Sequence, residues 1–145
     1  MPEFKKWYTR EHAMVDRIAC PWLVRRFIDA DAEFRWLPRE TNWSAITDGY
    51  VYDVPNVAFG HVDGRCSFES IMLAFGLTEP ALVEMSRIVH NADTDDTIAG
   101  YPEGEGLKAI ARGMRETSAD DPENLARSMF VYDALYAYCQ WKVRG

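Results

Sequence analysis

The sequence predicts an α+β, helix-rich single domain, with four or five helices packed on a small antiparallel sheet. Three observations lead there. Short strand-like segments, each stopped by a proline or a turn, are confined to the part before Asp63-Gly64, and apolar residues at helical spacing fill the rest. No repeat, linker or low-complexity tract divides the 145 residues, so 1–145 reads as one domain with no separate DNA-binding domain.

Phe4 to Thr9 reads as a short first strand. Asp16 can cap a helical turn through Ile18 and Ala19, and Pro21 suits the first position of a helix, where its missing N–H is not needed. Cys20 is then the cap, and the helix runs from Pro21 to about Asp29, burying Leu23, Val24, Phe27 and Ile28. A continuous helix from Asp16, kinked at Pro21, is the alternative. Phe34 to Leu37 before Pro38, and Tyr50 to Val54 before Pro55, read as strands, with Phe59 to Val62 as a further one turning at Asp63-Gly64. Ser67 caps a helix that ends at Gly76, with Glu69 in its first turn. Thr78 caps the next, which has Pro80 in its first turn and carries Leu82, Met85 and Val89 as its core stripe. Leu107, Ile110 and Met114 mark another helix. The last begins near Pro122 and carries Leu125, Met129, Tyr132, Tyr136 and Cys139 at helical spacing.

Composition narrows the function. Apolar residues make up 48% and aromatics 13%, enough for a hydrophobic core and against disorder. No run approaches the roughly 20 apolar residues of a membrane helix, and the N-terminus lacks a secretory signal, so a cytoplasmic protein without a membrane partner is expected. Three widely spaced cysteines make no disulfide framework. Sixteen basic against twenty-three acidic residues give a net charge of −7, with no basic face for phosphates, so direct nucleic-acid binding is not expected. Gly100, Gly104 and Gly106 lie among acidic residues and form no phosphate loop.

The densest chemistry lies in His61-Val-Asp-Gly-Arg-Cys66-Ser-Phe-Glu69 and in His90-Asn-Ala-Asp93. Cys66 stands just before a helix N-terminus, where the dipole favours a thiolate, and Glu69 lies one turn further on. His90 and Asp93 share a helix face. Imidazole, thiolate and carboxylate are ligands that divalent transition metals accept, so His61, Cys66, Glu69, His90 and Asp93 form the candidate metal site. Zinc is the first choice, with iron or manganese as alternatives. The same residues also admit a plainer account, in which Cys66 fills space and Glu69 and His90 favour opposite helix ends. Arg17, Cys20 and Arg25 form a candidate oxyanion site, with Cys20 as a reducing or sensing thiol. A structural pair between Arg25 and Asp133, which stands on the apolar face of the last helix, is favoured over that site.

The segments Val15-Asp-Arg-Ile-Ala-Cys-Pro-Trp-Leu-Val-Arg-Arg-Phe-Ile-Asp29, Phe59-Gly-His61, Arg65-Cys-Ser-Phe-Glu69 and Phe75-Gly-Leu-Thr-Glu-Pro-Ala-Leu82 carry a wider resemblance. With Ile88-Val-His-Asn-Ala-Asp93, Gly106-Leu-Lys-Ala-Ile110, Asp120-Asp121 and Tyr132-Asp-Ala-Leu-Tyr136, the chain resembles the C-terminal domain of ChrB-type chromate-resistance proteins. The likeness runs in order along nearly the whole chain. It implies a role tied to chromate resistance and its regulation, in a stand-alone version of a domain that longer members carry behind an extra N-terminal region. It implies no settled catalytic set.

Two functions are therefore expected, in different classes. One is a sensory or protective stress-response module binding a divalent metal, a small oxyanion, or both. The other is a metal-dependent enzyme, hydrolytic or redox, in which Glu69 or Asp93 serves as general base on an open metal site. An interaction domain without a site is the dullest alternative. The tyrosine and tryptophan content is compatible with a homodimer, whose interface the sequence does not locate.

Overall fold

In the computed structural model, which describes residues 2–145, strand β1 (Lys6–Arg10) leads into helix α1 (Asp16–Phe27) and strand β2 (Glu33–Leu37). A 3-10 turn at Trp43–Ala45 precedes strand β3 (Gly49–Val51). Helices α2 (Ser67–Ala74), α3 (Pro80–Asp93), α4 (Glu103–Thr117) and α5 (Asp121–Val143) follow.

The helix-rich α+β class holds, but the sheet is parallel, in the order β2-β1-β3. Trp7 lies level with Phe34 on one side and with Tyr50 on the other. In sequence, β2 and β3 look like neighbours across a short link, yet each pairs with β1 instead. A parallel pair needs a crossover of a dozen or more residues, and α1 supplies it between β1 and β2. The link from 38 to 48 then carries the chain to the opposite edge. The strand expected at Phe59–Val62 does not form. Phe59 makes a single bridge to Tyr52, and Val62 turns back onto Arg65 across Asp63 and Gly64, which stand at φ 52° and 78°.

Helix α1 is continuous through Pro21, so Asp16 opens it and Cys20 lies inside it. Proline has no N–H to offer the carbonyl four residues back, which belongs to Arg17. That carbonyl accepts instead from Trp36 Nε1 at 3.2 Å and from the Tyr52 hydroxyl at 3.3 Å. The sheet thus satisfies what the helix leaves open.

Cys66, not Ser67, caps α2. Its sulfur accepts the third-position amide, and its own N–H donates to Glu69 Oε1 at 2.9 Å, a reciprocal box. Gly76 ends the helix region at φ 65°. Glu79 rather than Thr78 precedes α3, whose Leu82, Met85, Ile88 and Val89 are almost fully buried. Each such side chain contributes about 1.5–3 kcal/mol relative to exposure. In α4 the inward line is Gly104, Leu107 and Ala111, while Ile110 is exposed. The reason is close approach: a Cβ on Gly104 would stand 2.6 Å from Asn91 Cβ of α3. Helix α5 buries Leu125, Tyr132 and Cys139 and packs Met129 and Tyr136 against the core, as its spacing predicts. No helix among the described residues is long and apolar enough to cross a membrane.

Candidate metal centre and adjoining anion cleft

Where strands run parallel, ligands collect outside their carboxyl ends, at the point where successive connections leave in opposite directions. Here that point is the end of β1, because β2 is added on one side and β3 on the other. Arg10 ends β1, Arg39 follows β2, Asp53 follows β3, and α1 opens beside them with Asp16 and Arg17.

One oxygen each from Asp16, Asp53 and Asp93 and one ring nitrogen of His61 lie within 4.8 Å of one another. His61 Nε2 is 2.9 Å from Asp93 Oδ2, 3.5 Å from Asp53 Oδ1 and 4.0 Å from Asp16 Oδ2. The Asp16 side chain is wholly buried. Its Oδ2 accepts the Ser67 backbone N–H at 2.8 Å, while Oδ1 has no partner among the described residues. Asp53 stands at φ 52°, a left-handed conformation that aspartate tolerates better than most residues. Its carboxylate accepts the Ser67 hydroxyl at 2.6 Å and pairs with Arg17 Nε at 3.1 Å. Asp93 is the last residue of α3, and a cavity of about 240 Å³ opens over the group.

Burial, reinforced by the Asp93 and Asp53 carboxylates, pushes the Asp16 carboxyl well above the usual range. Hydrogen bonds to Asp53 and Asp93 push His61 up to about 10, making it an imidazolium at neutral pH. His61, Arg17 and the N-terminal end of α2 are the positive groups set against three carboxylates. Three carboxylates and an imidazole are a donor set that a borderline divalent cation satisfies.

The five ligands expected from the sequence do not share one shell. His61 and Asp93 join Asp16 and Asp53, whereas Cys66, Glu69 and His90 form a second, more buried group. In that group Glu69 Oε1 accepts from Cys66 N and from His90 Nδ1, the latter at 2.6 Å, and His90 Nε2 donates to the Asp96 carbonyl at 2.7 Å. Both ring nitrogens of His90 are thereby engaged. Burial lowers its pKa, but Glu69 and the Asp96 carbonyl outweigh burial and raise it. The expected Cys66 thiolate is corrected. Burial, then the Asp16 and Glu69 carboxylates, push the thiol up, because removal from water outweighs the helix dipole.

The expected oxyanion site is corrected as well. Cys20 is wholly buried inside α1, with its thiol pushed up by burial, so it is no accessible redox group. Arg25 lies over the Phe34 ring at 5.0 Å and lines neither cavity. Asp133 pairs with Arg26 rather than Arg25, through contacts of 3.0 and 2.8 Å, and also accepts from Trp22 Nε1 at 2.7 Å. Trp22 and Arg26 are four apart and share the face that meets α5; Arg25 points elsewhere.

Arg17 does face a cavity, and one with unexpected company. A cleft of about 390 Å³ is lined by Arg10, Arg17 and Arg39, with Glu40, Thr41 and Trp43 among its other walls. Of the three arginines, Arg17 pairs with Asp53, whereas Arg10 and Arg39 pair with no carboxylate among the described residues. Burial, then repulsion from Arg17 and Arg39, lowers the Arg10 pKa. Guanidinium groups gathered in this way favour an anion between them. Asp16, Asp53, Arg10 and Arg39 were not singled out from the sequence. The signal for them was the strand ends, which point to a site only once the sheet is parallel.

Residues 7–139 match the family described as ChrB, C-terminal domain. Over 135 residues the chain is 36% identical to Protein ChrB of Cupriavidus metallidurans, a match covering 92% of this chain and 40% of that protein. No solved structure matches. The family match takes in β1 from Trp7 on, the crevice residues and all but the end of α5, and the chain belongs to the ChrB C-terminal domain family.

Proposed function

We propose that this domain is a chromate-resistance-related module, sensory or protective, that holds a divalent transition metal on Asp16, Asp53, His61 and Asp93. A small oxyanion lies alongside, against Arg10, Arg17 and Arg39. The observation that carries the metal is Asp16, wholly buried with one unpartnered oxygen and two further carboxylates beside it. An ionised carboxylate held out of water is unfavourable by several kcal/mol unless a cation answers it. A metal supplies that charge and displaces the proton of His61. Three oxygens and one nitrogen, with the Cys66 sulfur outside the set, bring manganese and iron(II) level with zinc as candidates. Guanidinium groups donate in planar pairs, which suits a tetrahedral oxyanion such as chromate. Cys66, Glu69 and His90 brace the site, tying the end of α3 to the start of α2.

The test is the metal content of protein purified without an affinity tag, for wild type, Asp53→Asn and His61→Ala. Stoichiometric metal in wild type that both variants lose supports the site. Metal-free wild type that also fails to take up manganese, iron(II) or zinc in titration would remove it. A metal-dependent enzyme is the second function, favoured by the open cavity over the four donors, which leaves room for water and a substrate. X-ray absorption showing a shell closed by protein ligands alone would eliminate that alternative.

A further inference from the structure

The outward face of α5 has a pattern that its packing inside the domain does not explain. Phe130 is 79% exposed and Trp141 64% exposed, and Ala126, Ala134 and Ala137 are exposed between and beside them. At 100° per residue all five fall within an arc of about 80° on the helix surface. Glu123 and Arg144, both exposed, fall within the same arc at opposite ends of the helix. Glu123, Phe130, Ala137 and Arg144 follow one another at the seven-residue spacing of helices that pair along a seam. Single exposed apolar residues need no explanation; a line of large and small residues closed by opposite charges does.

We propose that α5 pairs antiparallel with α5 of a second copy of this chain. In that arrangement Phe130 of one copy meets Ala137 of the other, Trp141 meets Ala126, and Ala134 lies near the twofold axis. Every aromatic thus faces an alanine, and each contact occurs twice. Glu123 of each copy comes opposite Arg144 of the other. A parallel pairing would stack Phe130 on Phe130, Glu123 on Glu123 and Arg144 on Arg144, which like charges oppose. The paired stretch is about 32 Å long. It buries on the order of 1,000 Å² in total, at the lower end of specific interfaces, so the dimer forms and separates in the micromolar range.

Sedimentation equilibrium of the whole chain across the micromolar range tests this. Wild type should show a monomer–dimer equilibrium, and Phe130→Arg should weaken it by at least about tenfold. Phe130 is too exposed for this change to disturb the fold. Glu123→Arg and Arg144→Glu should each weaken the dimer, and the two together should regain most of what each lost. Glu123 also accepts the Ala119 N–H at the start of α5, so its single variant is checked by circular dichroism. Local fraying there cannot produce the regain in the double variant. A wild type that stays monomeric throughout, a dimer indifferent to Phe130→Arg, or a double variant no better than its singles would each overturn the proposal.

Discussion

Asp16→Asn removes one charge from the centre of the crevice and almost no volume, and the amide oxygen can still accept the Ser67 N–H. Two carboxylates no more than 4.8 Å apart repel by at least about 3.5 kcal/mol at an effective dielectric of about 20, and Asp16 has two such neighbours. His61, at 4.0 Å, returns about 4 kcal/mol, discounted because its ring is half exposed. Arg17 is engaged by Asp53. Ionised Asp16 therefore works against the metal-free fold, and Asp16→Asn should stabilise chelator-treated protein at pH 8 by about 1–3 kcal/mol. The melting temperature should rise by roughly 3–10 °C. The sign follows from linkage. A carboxyl whose folded pKa is raised contributes stability below its unfolded pKa and loses it as pH rises through the folded value. The gap between variant and wild type should therefore widen from pH 5 to pH 8. Saturating metal should reverse the order, because a ligand at about one thousand times its Kd adds about 4.1 kcal/mol to wild type alone. Thermal melts at both pH values, with chelator and with manganese or zinc, read all of this. An Asn variant less stable than wild type in chelator at pH 8, or one gaining as much from metal, refutes the reasoning.

His90→Ala should cost about 1–3 kcal/mol in denaturant melts, since it removes the buried donor that the partly exposed Glu69 carboxylate and the Asp96 carbonyl share. Because the His90 pKa is raised, this difference should be largest below about pH 6.5 and shrink as pH rises through the folded value. Arg10→Ala and Arg39→Ala should each weaken sulfate or chromate binding at least about tenfold in calorimetry while leaving metal content unchanged. Arg26→Ala should cost about 1 kcal/mol, because the pair with Asp133 is partly exposed, and Arg25→Ala should leave Asp133 unaffected in its titration by NMR. Gly104→Ala should lower stability by about 1–3 kcal/mol, as its Cβ would press on Asn91.

Periodicity carried most of the helical half, because α3 and α5 each bury one continuous stripe and their spacing states it directly. It failed at α4, where a close approach at Gly104 rotates the helix away from Ile110. Strand direction was not legible, since it depends on which strands pair, and β1 collects both partners from a distance. That one error hid half the candidate site. Asp53 read as part of an apolar strand run and Asp16 as a helix cap, and only the parallel sheet brings their ends together. His61 and Asp93 were legible as ligand types, but their separation from Cys66, Glu69 and His90 is a matter of which nitrogen reaches which oxygen.

Pro21 leaves one carbonyl unclaimed, and side chains from two regions of the sheet side, Trp36 and Tyr52, fasten onto it. A helix start that would ordinarily fray is held from outside, and it carries both Asp16 and Arg17. Asp16 belongs to the carboxylate cavity, and Arg17 forms part of the wall of both cavities. A cation on one side and an anion on the other would lean on the same fastened turn, with opposite charges a few bonds apart. Each would then lower the free energy of seating the other, and by reciprocity the factor is the same in both directions. With both ions bound as proposed, such a shared turn would respond to their coincidence more sharply than to the concentration of either.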